Sequence, residues 1–230
     1  MQYYFVHEKV GEIVTLDQQE SHHCTKVMRR QVGDIIHLLD GNGSIIKSEI
    51  TSLGKEVRAK IISSERQSKL WNLSIAVSPT KSADRMEWMI EKLVEIGVEK
   101  VVFIRTKNSE RSKIQERRIR MKALAALKQS GNYYLPKIEF DVTFKELFAS
   151  HKCEENYLAH CYSDFGDKFA ASASDWGNPR STLIAIGPEG DFSREEVEDA
   201  VLNGFRTLDL GKTRLRTETA AIVACTLFNN

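Results

Sequence analysis

The sequence of 230 residues has few cysteines and no long apolar run. Its four cysteines (Cys24, Cys153, Cys161 and Cys225) lie far apart and form no Cys-X-X-Cys pair, which predicts free and mostly buried thiols in a reducing compartment. No apolar run approaches membrane length, and the first ten residues show no basic-then-apolar signal pattern. We therefore expect a cytoplasmic protein without a membrane segment.

An excess of charge of one sign is also lacking. The 33 Lys and Arg residues are balanced by 32 Asp and Glu residues, so that the formal net charge is +1. The protein as a whole is not a polycation, and binding to a nucleic acid would have to rest on local basic patches. The hydrophobic fraction of 41% is ordinary for a globular chain and argues against large-scale disorder.

The first 68 residues have the pattern of a small β-structure. Four β-type runs are separated by turn signals; the runs are YYFV, DIIHLLD, SIIKSEI and EVRAKII. Asp40-Gly41-Asn42-Gly43 and Leu53-Gly54-Lys55 favour tight hairpins, because such turns need positive φ. One helix, from about Asp17 to Arg30, interrupts the strands. Residues 1–68 are thus predicted to form a small β-barrel or sheet, and the polar stretch SSERQSKL is predicted to be a linker.

After this stretch, apolar strands alternate with helices. Strands are predicted at LSIAVSP, VEKVVFI, NYLAHCY, STLIAIGP and FRTLDLG, and helices at 83–96, 116–130 and SREEVEDAVLNG. Asp84 and Glu87 are a candidate capping box for the first helix, and Ser193 and Glu196 for the last. The alternation predicts an α/β fold over residues 69–230, with a mostly parallel sheet and helices on both faces.

Three strand ends carry residues that suit a ligand site. The strand LSIAVSP leads into Ser78-Pro79-Thr80-Lys81, STLIAIGP into Gly187-Pro188-Glu189-Gly190-Asp191, and FRTLDLG into the charged stretch 210–216. In an open α/β sheet, ligands bind at the carboxyl ends of the strands. Glycines there let a ligand approach the backbone, and helix N-termini offer free N–H groups. The pattern predicts a pocket built largely of main chain.

Two tempting motifs are excluded by their context. Residues 211–213 (GKT) match the end of a phosphate-binding P-loop, but that loop needs a glycine where Arg206 stands. His22, His23 and Cys24 are adjacent residues of a predicted helix, so their side chains point about 100° apart. Since no further Cys or His lies at metal-ligand spacing, we expect no metal.

Two basic clusters stand out in this neutral chain. The first, from Arg105 to Lys122, contains eight Lys or Arg residues against two Glu residues, a local excess of six positive charges. The second consists of Lys212, Arg214 and Arg216, at the mouth of the predicted pocket. A charged helix flank is the ordinary interpretation of the first cluster alone. The two together favour an anionic polymer as the partner.

Longer motifs occur in a characteristic order along the chain. They are HHCTKVMRRQVGDIIHLLDGNG, EKLVEIGVEKVVFIRTKNSER, KALAALKQSGNYYLP, GPEGDFSREEV and, after a GF pair, LGKTRLRTETAAIVA. In this order they resemble the N-terminal, middle and C-terminal signatures of the bacterial small-subunit rRNA uracil-N3 methyltransferases, the RsmE family of the SPOUT superfamily. The resemblance covers nearly the whole chain.

This resemblance implies a PUA-like β-barrel for RNA binding over residues 1–68 and a SPOUT methyltransferase domain with a trefoil knot over 69–230. Topology rules alone treat knots as nearly absent and would predict an ordinary open sheet. The family further implies a homodimer, S-adenosylmethionine (SAM) as cofactor, and methylation of uracil N3 in 16S rRNA at the decoding region of the small ribosomal subunit. The residues expected at the cofactor are Thr80, Ile186, Gly187, Glu189, Gly190, Leu210, Gly211, Leu215, Thr217 and Ala220.

The chemistry of this reaction suggests catalytic roles for three residues. Methylation at N3 needs a weakly acidic imide proton removed and an in-line attack on the sulfonium methyl group. Arg216 is the candidate for stabilising the developing uracil anion or orienting a phosphate. Glu189 or Glu218 is the candidate general base. The structural alternative for Glu218 is that it caps its own helix and pairs with Arg216.

The residues expected to contact RNA phosphates are Lys26, Arg29, Arg30, Arg105, Lys107, Arg111, Lys212 and Arg214. In the predicted first helix, His22, Lys26 and Arg29 share one face, which either lies in solvent or contacts RNA. Two alternatives to the uracil activity stay open. One is another SPOUT activity, on the ribose 2′-oxygen or on N1 of guanosine in tRNA. The other is a non-catalytic rRNA-binding assembly factor.

The chain departs from the family pattern at three places. Asp191 stands where the usual GPEGG motif has its second glycine, and we expect it to cap the following helix and leave cofactor binding intact. Tyr3 stands where an arginine is common, and 129–132 (QSGN) lacks the arginine of the QSxR-type pattern. The missing arginines affect individual RNA contacts and not the function.

Overall fold

The computed structural model describes residues 2–7, 9–69, 72–109, 114–165, 168–170 and 180–228. The chain divides into two compact units, Met1–Lys69 with Leu124–Leu135 and Leu70–Ala123 with Pro136–Asn230. Each unit has its own sheet and its own buried core. The division into an RNA-binding and a catalytic domain stays a prediction. No helix within the described ranges is long and apolar enough to cross a membrane.

The first unit is built on a sheet of six strands. They are β1 (Tyr3–Phe5), β2 (Lys9–Val10), β3 (Ile13–Thr15), β4 (Ile35–Leu39), β5 (Ser44–Ser52) and β6 (Arg58–Arg66). Their order is β1-β4-β5-β6-β3-β2; β1 is parallel to β4, and the other pairs are antiparallel. The two hairpins predicted from the Gly-containing turns, β4–β5 and β5–β6, are confirmed.

The single helix predicted between Asp17 and Arg30 is shorter and irregular. The carboxylate of Asp17 caps α1 (Gln18–His22) by accepting the Glu20 N–H, and one π-helical segment, His23–Val27, follows. Arg29 then takes a φ of 54°, which ends the helical path. The wider π-turn and this left-handed residue invalidate the i, i+4, i+7 relation, so the prediction that Arg29 shares a helical face with Lys26 is wrong.

The turn between β4 and β5 also receives a distant segment. The N–H of Gly43 donates to the carbonyl of Tyr133 at 2.9 Å, and the N–H of Leu135 donates to the carbonyl of Gly41 at 2.9 Å. A Cβ atom on Gly43 would lie 2.3 Å from the hydroxyl oxygen of Tyr134, and its φ is 99°. Glycine is therefore required there for two reasons, the turn and the close approach of 133–135.

The second unit contains a sheet of seven strands and five helices among its described residues. In chain order these elements are β7 (Leu73–Val77), α2 (Ala83–Ile96), β8 (Lys100–Arg105), α3 (Glu116–Ser130, whose second half belongs to the first unit), β9 (Lys137–Thr143), α4 (Phe144–Ser150), β10 (Glu155–Ala159), β11 (Phe169–Ala170), β12 (Thr182–Ile186), α5 (Arg194–Leu202), β13 (Arg206–Asp209) and α6 (Thr217–Phe228). The strand order is β11-β13-β10-β12-β7-β8-β9, and every pairing is parallel. The predicted parallel α/β fold is confirmed.

The helix signals were confirmed at α5 and partly at α2. Ser193 and Glu196 form the predicted capping box of α5. In α2 the apolar face is buried as predicted, but its N-cap is Ser82, whose hydroxyl accepts the Arg85 N–H, so the Asp84/Glu87 box is wrong. Because the helix already begins at Ala83, Ser82 is its N-cap residue, and Asp84 lies inside the first turn. The knot implied by the family stays a prediction.

Candidate functional site

A cavity of about 530 Å³ lies at the carboxyl ends of β10, β12 and β13. These strands are consecutive in the sheet, in the order β13-β10-β12, so the loops that follow them meet at one edge. The lining residues are Ala159, His160, Cys161, Lys168, Ile186–Glu189, Asp191 and Leu208–Thr217, with Ala220. Most of these residues belong to the loops after β12 and β13, two of the three strand ends that the sequence pointed to.

Two hydrogen bonds tie the loop after β13 to the loop after β12. The hydroxyl of Thr217, at the start of α6, donates to the carbonyl of Gly187 at 3.0 Å, and both groups are buried. The guanidinium of Arg214 donates to the carbonyl of Glu189 at 3.2 Å. Part of the polar stretch at the start of α6 thus has a structural reason, since Arg214 and Thr217 bond the main chain of the neighbouring loop.

The loop after β12 is a tight turn that ends in Asp191. The N–H of Asp191 donates to the carbonyl of Pro188 at 2.9 Å, and Asp191 has a φ of 62°. Its carboxylate accepts the N–H groups of Cys161 at 2.7 Å and Phe192 at 2.8 Å. The prediction that Asp191 caps α5 is wrong, because Ser193 holds that position.

Most of the predicted cofactor residues lie together in this cavity. They are Ile186, Gly187, Glu189, Leu210, Gly211, Leu215, Thr217 and Ala220. Gly190 and Thr80 do not line it. Thr80, after β7, is buried, and its hydroxyl has no hydrogen-bond partner among the described residues. The end of β7 is separated from β10 by β12, so β10 supplies the wall that had been expected from β7.

The residues at the end of β10 were missed by sequence reasoning. His160 is 7% exposed, and burial together with the nearby Lys168 lowers its pKa to about 4, so the ring is neutral at pH 7. Its Nδ1 accepts the Tyr162 N–H at 3.1 Å, which places the ring proton on Nε2. Partial desolvation and the nearby Asp191 carboxylate raise the pKa of the Cys161 thiol. Cys161 is exposed and Cys153 is half-buried, whereas Cys24 and Cys225 are buried as predicted.

The three predicted catalytic residues are divided between two cavities. Glu189 and Arg216 line the first cavity. Arg216 also lines a second, more open cavity of about 560 Å³, together with Asp84, Arg85, Trp88, Glu218 and Thr219. Glu218 is 5% exposed, and its Oε1 lies 3.6 Å from the Nε of Arg85. The predicted pairing of Glu218 with Arg216 is therefore replaced by a pair with Arg85.

Arg85 and Trp88 are further residues that sequence reasoning missed. Both lie on α2, and Trp88, which is 46% exposed, lines the second cavity together with Arg216. The contact of α2 with α6 creates this arrangement, and it depends on tertiary packing rather than on local sequence. An exposed tryptophan and an arginine on α2 could be assigned to this cavity only once the packing of α2 against α6 was known.

The predicted RNA contacts have different environments in the structure. Lys26 and Arg29 are exposed, whereas Arg30 is half-buried. Lys212 and Arg214 line the first cavity. Arg105 pairs with Asp141 at 2.7 Å, and Lys107 pairs with Glu195 at 3.2 Å. Arg111 lies outside the described residues.

Several charges of the first basic cluster are used within the fold. The Nε of Arg118 lies 2.8 Å from the Oε1 of the buried Glu87 of α2, and the Nζ of Lys122 lies 3.7 Å from the Oε2 of Glu91. Arg120 donates to the carbonyl of Ile138 at 3.1 Å. The charged helix flank is thus the better description of the α3 part of this cluster.

Comparison with known proteins gives the class of this chain. Residues 66–229 match the family model described as "RNA methyltransferase domain", and residues 16–63 match "RNA methyltransferase PUA domain". The first match covers most of the chain. The chain therefore belongs to the RNA methyltransferase family.

The similarity extends to individual proteins over the full length. Ribosomal RNA small subunit methyltransferase E 2 of Borreliella burgdorferi is 30% identical, with 94% of this chain and 90% of that protein covered. A probable rRNA methyltransferase of Porphyromonas gingivalis is 37% identical and superimposes with a TM-score of 0.86, covering 98% and 96% of the two chains. Ribosomal RNA small subunit methyltransferase E of Neisseria gonorrhoeae, bound to S-adenosyl methionine, is 26% identical with a TM-score of 0.81, covering 98% and 95%. The resemblance to the RsmE family is confirmed.

Proposed function

We propose that this protein transfers the methyl group of SAM to N3 of a uracil in 16S rRNA of the small ribosomal subunit. The observation that carries the proposal is the cavity at the ends of β10, β12 and β13, whose lining includes Gly187–Glu189, Asp191 and Leu210–Thr217 from two of the motifs that carry the family resemblance. The SAM-bound relative supports the cofactor, and the names of the relatives support small-subunit rRNA as the substrate.

The residues of the cavity fit this cofactor. A volume of about 530 Å³ lies within the range of roughly 300–1,000 Å³ that small-molecule sites occupy. A Cβ atom on Gly187 would lie 3.1 Å from the backbone N of Phe192, so glycine keeps the main chain of this turn close. The lining carries both cations, such as Lys168 and Arg214, and anions, such as Glu189 and Asp209, which suits a ligand with charges of both signs.

When bound, SAM supplies an activated methyl group. Ile186, Leu210, Leu215 and Ala220 give apolar contacts, while the backbone at 187–189 and 210–211 offers hydrogen-bonding groups. Arg216 lines both cavities, so its side chain could contact a base in the second cavity while the first cavity would hold the cofactor. We assign to Arg216 the stabilisation of the negative charge that develops on the uracil when N3 loses its proton.

Two carboxylates each line a cavity with Arg216 and are candidates for the proton acceptor. Glu189 is exposed in the first cavity. Glu218 is buried beside the second cavity, and its Oε2 has no hydrogen-bond partner among the described residues. We place Glu218 first, because a buried unpaired carboxylate oxygen can accept a proton from a base held in that cavity.

Substitution of Arg216 tests the mechanism. For Arg216→Ala we expect methyl transfer to fall by about 10²–10³-fold, the range seen when one group that stabilises developing charge is removed. SAM affinity, measured by calorimetry, should change much less. Glu218→Gln and Glu189→Gln serve as a matched pair, and only the former should lower turnover strongly. Full turnover of Arg216→Ala with normal SAM binding would remove its catalytic role.

RNA binding is proposed for the exposed lysines and arginines named above. Lys26→Gln and Lys212→Gln should each weaken rRNA binding and reduce the slope of log affinity against log salt by about one charge. A variant with an unchanged slope would lose its assigned contact. We further propose a homodimer, as in the family, which sedimentation of the purified protein tests.

A further inference from the structure

Asp191 has an unusual backbone conformation at the wall of the first cavity. Its φ of 62° lies in the left-handed region, which few residues other than Gly, Asn and Asp adopt readily. A glycine at this position would take the same conformation without strain. Asp adopts this conformation when its short side chain makes hydrogen bonds nearby, so the partners of the Asp191 carboxylate show what the side chain contributes.

The carboxylate of Asp191 joins two walls of the cavity. Its Oδ2 accepts the N–H of Cys161, after β10, at 2.7 Å, and its Oδ1 accepts the N–H of Phe192, after β12, at 2.8 Å. Hydrogen bonds to an ionised acceptor are short and stronger than neutral ones, and these two distances agree with that class. One side chain thus links the loops that follow two neighbouring strands.

The backbone of the same turn is also held by side chains from two other loops. The side-chain amide of Asn108, after β8, donates to the carbonyls of Gly190 at 3.1 Å and Asp191 at 3.0 Å. Arg214, after β13, donates to the carbonyl of Glu189 in this turn. Toward the β10 wall, the Asp191 carboxylate holds the backbone of Cys161, and next to it the hydroxyl of Tyr162 donates to the carbonyl of Phe192 at 2.9 Å.

We propose that Asp191 is a positioning residue that fixes the β10 wall against the Pro188–Asp191 turn and so sets the shape of the cofactor cavity before SAM binds. The inference rests on the proposed function of this cavity. It predicts that the side chain acts through two main-chain N–H groups and that the pre-set shape improves SAM affinity.

Two substitutions separate the clamp from the backbone conformation. Asp191→Gly keeps the left-handed backbone and removes both hydrogen bonds. Asp191→Asn tolerates the same φ, but its amide has a single acceptor oxygen and can retain only one of the two bonds. Asp209→Asn is the matched control, since it removes one negative charge from the same cavity at a carboxylate that accepts the nearby Gly211 N–H, at 2.9 Å, and not a group of the β10 wall among the described residues.

The test measures amide hydrogen exchange at Cys161 and Phe192 in the protein without SAM, and SAM affinity by calorimetry. For Asp191→Gly we expect exchange at Cys161 to become about tenfold faster and the Kd for SAM to rise about tenfold, with a smaller change for Asp191→Asn. Asp209→Asn should leave Cys161 exchange unchanged. Wild-type exchange and Kd in both Asp191 variants would overturn the clamp. If the wild type itself binds no SAM, the proposed function fails, while exchange still decides the clamp.

Discussion

Removal of the buried hydroxyl of Thr217 tests how the two main loops of the cavity are joined. This hydroxyl donates to the carbonyl of Gly187 at 3.0 Å, and Thr217 is 5% exposed. Thr217→Val keeps the β-branched shape and deletes the donor. A buried carbonyl left without its donor costs about 1–3 kcal/mol, so we expect the free energy of unfolding of the second unit to fall by this amount.

The matched control for this substitution is Thr226→Val on the same helix. Thr226 is exposed, and its hydroxyl bonds the carbonyl of Ile222 one turn earlier at 2.9 Å, so its loss should change stability by less than about 0.5 kcal/mol. Urea unfolding, followed by a probe in the second unit, measures both variants. SAM affinity should also fall in Thr217→Val and not in Thr226→Val. Equal stability of the two variants would refute the assigned role of the bond.

Three further predictions concern stability. The buried carboxylate of Glu20 accepts the Phe5 N–H and pairs with Lys128. Glu20→Gln should therefore lower the free energy of unfolding of the first unit by about 2 kcal/mol in urea titrations. An unchanged urea midpoint would contradict this. The pKa of His160 is lowered to about 4, so on acidification the unfolded state takes up this proton before the folded state does. The free energy of unfolding should therefore fall by up to about 3 kcal/mol as the pH drops from 6.5 to 4. His160→Asn should flatten this dependence, and identical pH profiles of the two proteins would count against the argument. Gly43→Ala should lower the melting temperature more than Gly33→Ala. Both glycines have a positive φ, but of the two only Gly43 would bring its new Cβ against another atom. Equal melting temperatures of the two variants would disprove the close-approach argument.

Local signals in the sequence predicted those elements whose formation depends on nearby residues. The apolar stripe of α2, the Ser193/Glu196 box and both hairpin turns were confirmed because each acts within a few residues. The strand β9 and the helix α4 were missed, although Thr143 and Glu146 form a capping box that the sequence displays. The π-turn after α1 has no comparable local signal.

The candidate site was predictable only in part. The loops at 187–189 and 210–217 were located because glycines and charges follow buried strands there. The wall at His160 depends on the position of β10 between β12 and β13, and the pair of Glu218 with Arg85 depends on the contact of α6 with α2. Such pairings join residues that are far apart in the chain, so periodicity and spacing do not encode them.

The most direct test of the proposed function is nucleoside mapping after methyl transfer. The protein and labelled SAM are incubated with small ribosomal subunits that lack the modification, and the rRNA is digested and analysed by mass spectrometry. We predict label in N3-methyluridine from 16S rRNA, and none with Arg216→Ala beyond the residual rate. Label in a 2′-O-methylated nucleoside or in N1-methylguanosine, or SAM binding without any transfer, would contradict the account.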